Sequence, residues 1–208
     1  MKHKKFNRNN RSGFTLIEVL VASALLVIIG AGYLGLQYIM SKSQVVVFNS
    51  YLSVEESNSI LTQMITELRN ARQSDDGAYL IHTADDQEII FYSDTERDGT
   101  VERVRYTLNG NQLFKGVTKP TGNPPTYDLA QEKVKILSSN VRNGSQPIFF
   151  YYNEYWPTDT TNNPLPVASR ISDTRLVKVE IIINTKPNDP TTDFVLQSQA
   201  AIRMLRLN

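Results

Sequence analysis

The sequence predicts an α+β fold in which one long N-terminal helix, membrane-spanning in its first half and amphipathic in its second, packs on an antiparallel β-sheet head. Three observations predict it. Val19 to Met40 is a run of 22 residues without a formal charge or a Pro, which at about 1.5 Å per residue crosses a hydrocarbon core of roughly 30 Å. Apolar residues then continue at helical spacing to about residue 71. Beyond Asp76-Gly77 the helical period gives way to short alternating segments with no long helix between them.

The elements follow in order. Met1 to Gly13 carries Lys2, Lys4, Lys5, Arg8 and Arg11 and no acid, so the chain's net charge of +1 conceals a remainder with 17 basic and 21 acidic residues, net −4. Basic residues beside an apolar span stay cytoplasmic, which puts the N-terminus inside and everything after Met40 outside. A secretory signal has a shorter apolar region followed by its cleavage site. Here the small residues Ser12-Gly13 precede the apolar run, so a cut at that point removes the leader and leaves the helix attached.

One helix is expected from about Thr15 to Arg72. In its second half Phe48, Leu52, Leu61, Met64, Ile65, Leu68 and Ala71 form an apolar stripe, with Glu55, Glu56, Glu67, Arg69 and Arg72 on the remaining surface. Val45 to Phe48 is apolar all round and suits either the head or a neighbouring subunit. Gly30, Gly32 and Gly35 fit local stretching or close helix packing, and equally the ordinary tolerance of glycine in membrane helices. The domain plan is therefore 1–13 leader, 14–40 membrane helix, 41–73 amphipathic half-helix and 74–208 head.

Eight strands are expected in the head: Tyr79–His82, Glu88–Tyr92, Val101–Leu108, Gln112–Val117, Val134–Ser138, Ile148–Tyr152, Leu176–Asn184 and Phe194–Leu205. Their closeness in sequence implies antiparallel pairing, with the helix on one sheet face. Two connections are long and turn-rich, Thr118–Tyr127 and Asn153–Ser169. Each suits subunit contact or plain solvent exposure, and Tyr155 and Trp156 in the second suit either an intermolecular anchor or a cap on the local core.

Composition excludes several chemistries. There is no Cys, so disulfides, thiolate metal sites and cysteine nucleophiles are absent, and His82 is the single histidine beyond the leader. No Gly-x-Ser-x-Gly elbow or phosphate-binding glycine loop occurs, and charge alone gives no nucleic-acid patch. The chain is expected not to be an enzyme. Asn143-Gly144-Ser145 fits a glycosylation sequon but reads as a turn.

Asp94, Glu96, Asp98 and Glu102 place acids around Gly99 at the alternate spacing of calcium loops. A full twelve-residue EF-hand loop from Asp94 would end on Arg105, so its bidentate acid is missing. Asp98-Gly99 is also a strong hairpin turn. A hairpin alone and a hairpin that binds calcium both fit, and no other cofactor is expected.

Gly13-Phe14-Thr15-Leu16-Ile17-Glu18-Val19-Leu20 resembles the class III signal of type IV pilins and type II secretion pseudopilins. The resemblance is close over residues 1 to about 45. It implies that a prepilin peptidase cuts after Gly13 and methylates the new N-terminus at Phe14. It further implies that Glu18 of one subunit neutralises the Phe14 amine of its neighbour, since an unpaired charge in low dielectric is very costly. Retention of this acid argues against a strict tip position. Head size and layout are most similar to larger minor pilins and J-type pseudopilins.

The partners so implied are the peptidase, other pilin or pseudopilin subunits and the inner-membrane assembly platform. The implied location is the cytoplasmic membrane, single-pass with an extracytoplasmic head, and then a secretion, motility or competence filament. The alternative is a filament-borne binding subunit whose loops take a secretion substrate, DNA or a surface ligand.

Overall fold

The computed structural model describes residues 13–184 and 193–205. The chain divides into two units, Met1–Phe48 and Asn49–Asn208. A single helix α1, Leu16–Arg69, enters both. It runs unbroken through Gly30, Gly32 and Gly35, and a methyl group built on any of them meets nothing within 4 Å. Between Leu16 and Phe48 nearly every apolar side chain is exposed.

Burial on α1 begins at Ser57. Ile60, Leu61, Met64, Ile65 and Leu68 turn one face into the core, as the spacing predicts. Phe48 and Leu52, expected on the same stripe, are 60% and 48% exposed, because helical spacing specifies a shared face but not how far along it the sheets extend. Glu67, expected on the solvent side, is 9% exposed and belongs to the packed face. The helix stops at Arg69 rather than Arg72 because the chain is diverted into the sheet: the Arg72 N–H donates to Tyr92 O at 2.9 Å.

All eight expected strands form, in two antiparallel sheets. The first is a meander, β1 Ile81–Ala84, β2 Glu88–Ser93, β3 Glu102–Asn109, β4 Gln112–Thr118 and β5 Lys133–Ser138. Short turns join β1 to β2 and β3 to β4, where Gly110 adopts φ 61°, whereas β4 reaches β5 through the long connection that holds Thr118–Tyr127 and a 3-10 turn at Leu129–Gln131. The second is β6 Phe149–Tyr152, β7 Leu176–Ile183 and β8 Phe194–Ala201. The final element is shorter than expected: β8 ends at Ala201 and Arg203–Leu205 is a single 3-10 turn, while Arg206 lies outside the described residues.

Alternation along β7 is strict, with Val177, Val179, Ile181 and Ile183 buried. β2 instead is buried on both faces, Ile89 and Phe91 on one and Ile90 and Tyr92 on the other. One core joins both sheets to α1, with Met64, Leu68, Phe91, Tyr106, Phe149 and Tyr151 among its largest members. The two sheets are tied at the β1–β2 turn, where Asp86 O accepts from Ile148 N at 2.8 Å and Asp85 O accepts from the Tyr151 hydroxyl at 2.8 Å.

Two charged clusters hold the first sheet. Glu67 accepts from Lys115 Nζ at 2.5 Å, Tyr106 Oη at 2.7 Å and Gln63 Nε2 at 2.9 Å, joining α1 to β3 and β4. Burial and the adjacent Glu67 carboxylate push the Tyr106 hydroxyl far above its ordinary pKa. On the other face Glu132 takes a bidentate pair of bonds from Arg105, 2.9 Å from Nε and 2.6 Å from Nη2. That carboxylate crosses Gly116: a Cβ there would lie 2.2 Å from Glu132 Oε1, which explains a glycine within β4.

Candidate functional site

The start of α1 is built from the residues of the Gly13–Leu20 run. Thr15 is the helix N-cap, its carbonyl accepting the first helical bond from Val19 N at 3.2 Å. The Thr15 N–H and hydroxyl both donate to Glu18 Oε2, at 2.8 and 2.9 Å. In return Thr15 Oγ1 accepts from Glu18 N at 3.3 Å. This is a capping box, Thr-x-x-Glu ahead of an apolar run, and it satisfies two amides that a helix start leaves without partners.

The carboxylate also sits at the positive end of the helix dipole. Sequence reasoning assigned Glu18 only to a neighbouring subunit and overlooked Thr15, although the spacing of the pair is itself the signature. Gly13 and Phe14 lie just outside the helix, and Phe14 is 88% exposed. The peptide link between them is thus open to solvent on a non-helical segment, the condition a peptidase needs.

The Asp94–Val101 turn connects β2 and β3. Gly99 adopts φ 92° and Arg97 φ 60°, a reversal that the Asp98-Gly99 pair predicts. Glu96, Asp98 and Glu102 bring one carboxylate oxygen each to within 4.8 Å of the others. Asp94 stands apart from that group. Its oxygens accept from Asp98 N at 3.1 Å and Gly99 N at 3.2 Å, and it pairs with Arg72 at 3.1 Å.

Lys119, at the end of β4, reaches over the turn to Glu96 at 2.7 Å and Asp98 at 3.9 Å. The Glu96 hydrogen bond raises the lysine pKa, and hydrogen bonding to the Thr100 amide lowers that of Asp98. Glu102 is fully buried, its Oε2 accepting from Thr95 N at 2.8 Å and Thr95 Oγ1 at 3.1 Å. Its Oε1 is buried and has no hydrogen-bond partner among the described residues.

The two long connections are internally bonded. Thr118–Tyr127 folds back through a Thr121–Thr126 bridge and is pinned by Tyr127, whose hydroxyl donates to Val101 O at 2.7 Å and whose ring lies 5.2 Å from that of Tyr92. In Asn153–Ser169 the Asn163 side chain accepts from Asn153 N and donates to Asn153 Oδ1, both at 2.9 Å. Trp156 rests on Tyr152 with ring centres 4.5 Å apart, capping the local core, while Tyr155 is exposed. Asn143 is buried and bonded to β7 through Ile182 N at 2.8 Å and Glu180 O at 3.0 Å, so its amide is committed to the fold and unavailable to a glycan.

None of the curated proteins matches this chain. Residues 8–34 match the model of the prokaryotic N-terminal methylation motif. The matched stretch takes in Gly13, Phe14, the Thr15–Glu18 capping box and the first half of the apolar run, and with the α1-on-sheet layout it identifies the N-terminus as a type IV pilin-like signal.

Proposed function

We propose that this chain is the precursor of a structural filament subunit, a minor pilin or pseudopilin of a type IV pilus, type II secretion or competence system. The leader is cut after Gly13, Phe14 becomes the N-methylated terminus, and Glu18 engages the Phe14 amine of an adjacent subunit. The observation that carries this reading is the continuity of the matched motif with a helix whose apolar residues stay exposed from Leu16 to Phe48. Such a surface is unsuited to water and calls for a bilayer before assembly and other helices after it.

The capping geometry is compatible with that use. Both Thr15 bonds fall on Glu18 Oε2, so Oε1 remains available to a second charged partner while the helix start stays capped. We further read the chain as non-enzymatic, on the absence of Cys and the single histidine beyond the leader. The head is then extracytoplasmic and the partners are a prepilin peptidase, fellow subunits and a membrane assembly platform.

Coexpression with a prepilin peptidase tests it. Intact-mass measurement should show loss of Met1–Gly13 and gain of one methyl group on Phe14. Gly13→Ala should block both changes; an unaltered parent mass, or identical masses for parent and variant, refutes the reading. A second reading, a filament-borne binding subunit, is favoured by the exposed Tyr155 and Val167 on the Asn153–Ser169 connection. Under it, Tyr155→Ala with Val167→Ser preserves filament incorporation and removes ligand capture.

A further inference from the structure

β5 closes the first sheet with one of its own edges unpaired. In the order β1-β2-β3-β4-β5 it bonds to β4, and among the described residues no backbone group reaches Lys133–Ser138 from the other side. Such an edge offers a row of N–H and C=O groups to any extended chain, and folded proteins usually shorten it, cover it or charge it. Here it is charged, and the charge is confined to one face. Lys133, Val134, Lys135 and Ile136 are all exposed, and strand alternation puts the two lysines on one side and the two aliphatic residues on the other.

Register identifies the two faces. Lys135 lies opposite Lys115 and Lys133 opposite Val117, on the side where Lys115 meets Glu67. Val134 lies opposite Gly116, on the side that Glu132 crosses. On the first side the lysines line an open groove of about 810 Å³ with Glu67, Lys115, Glu96 and Lys119. Within it Lys115 is paired with Glu67 and Lys119 with Glu96, whereas Lys133 and Lys135 form no ion pair among the described residues. Opposite charges across a strand pair stabilise it and like charges destabilise it. Two unpaired cations two residues apart therefore turn away most strands and favour one that carries acids at the same spacing.

This chain does not supply such a strand. Acids two residues apart occur in it at Asp86 and Glu88 and at Asp94, Glu96 and Asp98. Each of these is held by a cation of its own chain: Asp86 by Arg170, Glu88 by Arg105, Asp94 by Arg72, and Glu96 and Asp98 by Lys119. A second copy has no uncommitted segment of the required pattern, so the occupant is a different polypeptide.

We propose that β5 is a docking edge for an extended segment of another protein in which acidic and apolar residues alternate. The segment adds to the first sheet as a sixth strand beside β5, with its backbone on the open edge. Its acids lie across from Lys133 and Lys135, and its apolar residues cover Val134 and Ile136.

The test uses the full chain in detergent micelles and a fluorescein-labelled, end-capped hexapeptide alternating glutamate and valine. Binding is read by anisotropy at low salt, where exposed charges are least screened. The parent should bind with a Kd on the order of 10–100 μM. A peptide of the same composition with its glutamates in one block should bind roughly fivefold more weakly, because it cannot present acids at alternate positions. Lys133→Gln with Lys135→Gln should weaken binding of the alternating peptide roughly fivefold, and Lys133→Glu with Lys135→Glu should transfer the preference to a peptide alternating lysine and valine. Hydrogen exchange at Val134–Ile136 should slow in the complex, which reads backbone pairing rather than charge attraction alone. No binding by the parent up to about 1 mM, equal affinity for the two glutamate peptides, unchanged affinity in the glutamine variant, or unchanged exchange along β5 overturns the proposal. The measurement needs neither processing nor assembly, so the docking edge and the filament reading fail separately.

Discussion

Replacing Lys115 by Met removes the cation that, among the described residues, pairs with Glu67. Both residues are 9% exposed, and the lysine approaches the carboxylate to 2.5 Å. After the substitution Glu67 keeps only the neutral donors Tyr106 and Gln63. Breaking a buried pair from one side costs about 3–5 kcal/mol because an uncompensated charge is left behind. With a urea m-value of about 2 kcal/mol/M, the unfolding midpoint should fall by roughly 1.5–2.5 M.

Adding Glu67→Leu to the same chain removes the stranded charge. What then remains is the Tyr106 hydroxyl without its acceptor, a loss of about 1–3 kcal/mol. The double variant should therefore be more stable than Lys115→Met alone. Urea unfolding of the full chain in micelles, followed by tyrosine and tryptophan fluorescence, measures the parent, Lys115→Met, Glu67→Leu and the double variant. A double variant whose loss equals the sum of the two single losses would show that the groups do not offset each other's burial, and the reasoning would be refuted.

Gly116→Ala should displace Glu132 from Arg105 and destabilise the chain by about 1–3 kcal/mol, with little further loss on adding Glu132→Gln; additive losses in the same urea assay would separate the glycine from the ion pair. Glu132 also sets a pH dependence. The Arg105 hydrogen bonds, then its charge, hold the folded-state pKa of Glu132 below the ordinary glutamate value. Its contribution is therefore present above the unfolded pKa of about 4.3 and is lost as pH falls through the lower folded value. Glu132→Gln should flatten the acid limb of the stability curve there. Thr15→Val should free the Glu18 amide to exchange about fivefold faster, the consequence of losing roughly 1 kcal/mol of cap, while exchange at Leu61–Leu68 is unchanged.

The strands were legible because each shows β-rich residues between turn signals. The ladder moved most of their ends by only a residue or two, as where the Tyr92 N–H donates to Leu80 O just before β1 begins at Ile81, and the end of β8 by four, from Leu205 to Ala201. The helix was legible in existence and not in what it faces. Phe48 and Leu52 share the spacing of Leu61 and Leu68, but the depth of the sheet decides burial, and that is set by residues far along the chain. Glu67 shows the same limit more sharply. Its partners Tyr106 and Lys115 lie 39 and 48 residues away, so no local pattern could distinguish it from the exposed Glu55 and Glu56. At the candidate sites, the alternation of acids located the β2–β3 turn, whereas Lys119 and the orphaned oxygen of Glu102 depend on the β3–β4 pairing.

The division of burial along α1 constrains what the chain requires of its surroundings. From Ser57 to Leu68 the helix finds its apolar partners within the chain, in a core shared with both sheets. From Leu16 to Phe48 it finds almost none, and the exposed residues include aliphatic side chains on successive positions rather than on one stripe. A one-sided stripe would be satisfied by a single partner helix, whereas exposure all round requires an apolar medium or several neighbours at once. Lipid supplies the first and a bundle of like helices the second, and Glu18 distinguishes them. In lipid its charge is a cost that the Thr15 bonds only partly offset, while in the proposed filament the amine of a processed neighbour would offset it directly. On the proposed filament reading, Glu18→Gln, which keeps an acceptor for Thr15 and removes the charge, should leave membrane insertion intact while reducing incorporation into filaments; equal incorporation of the variant would refute the assembly role proposed for Glu18.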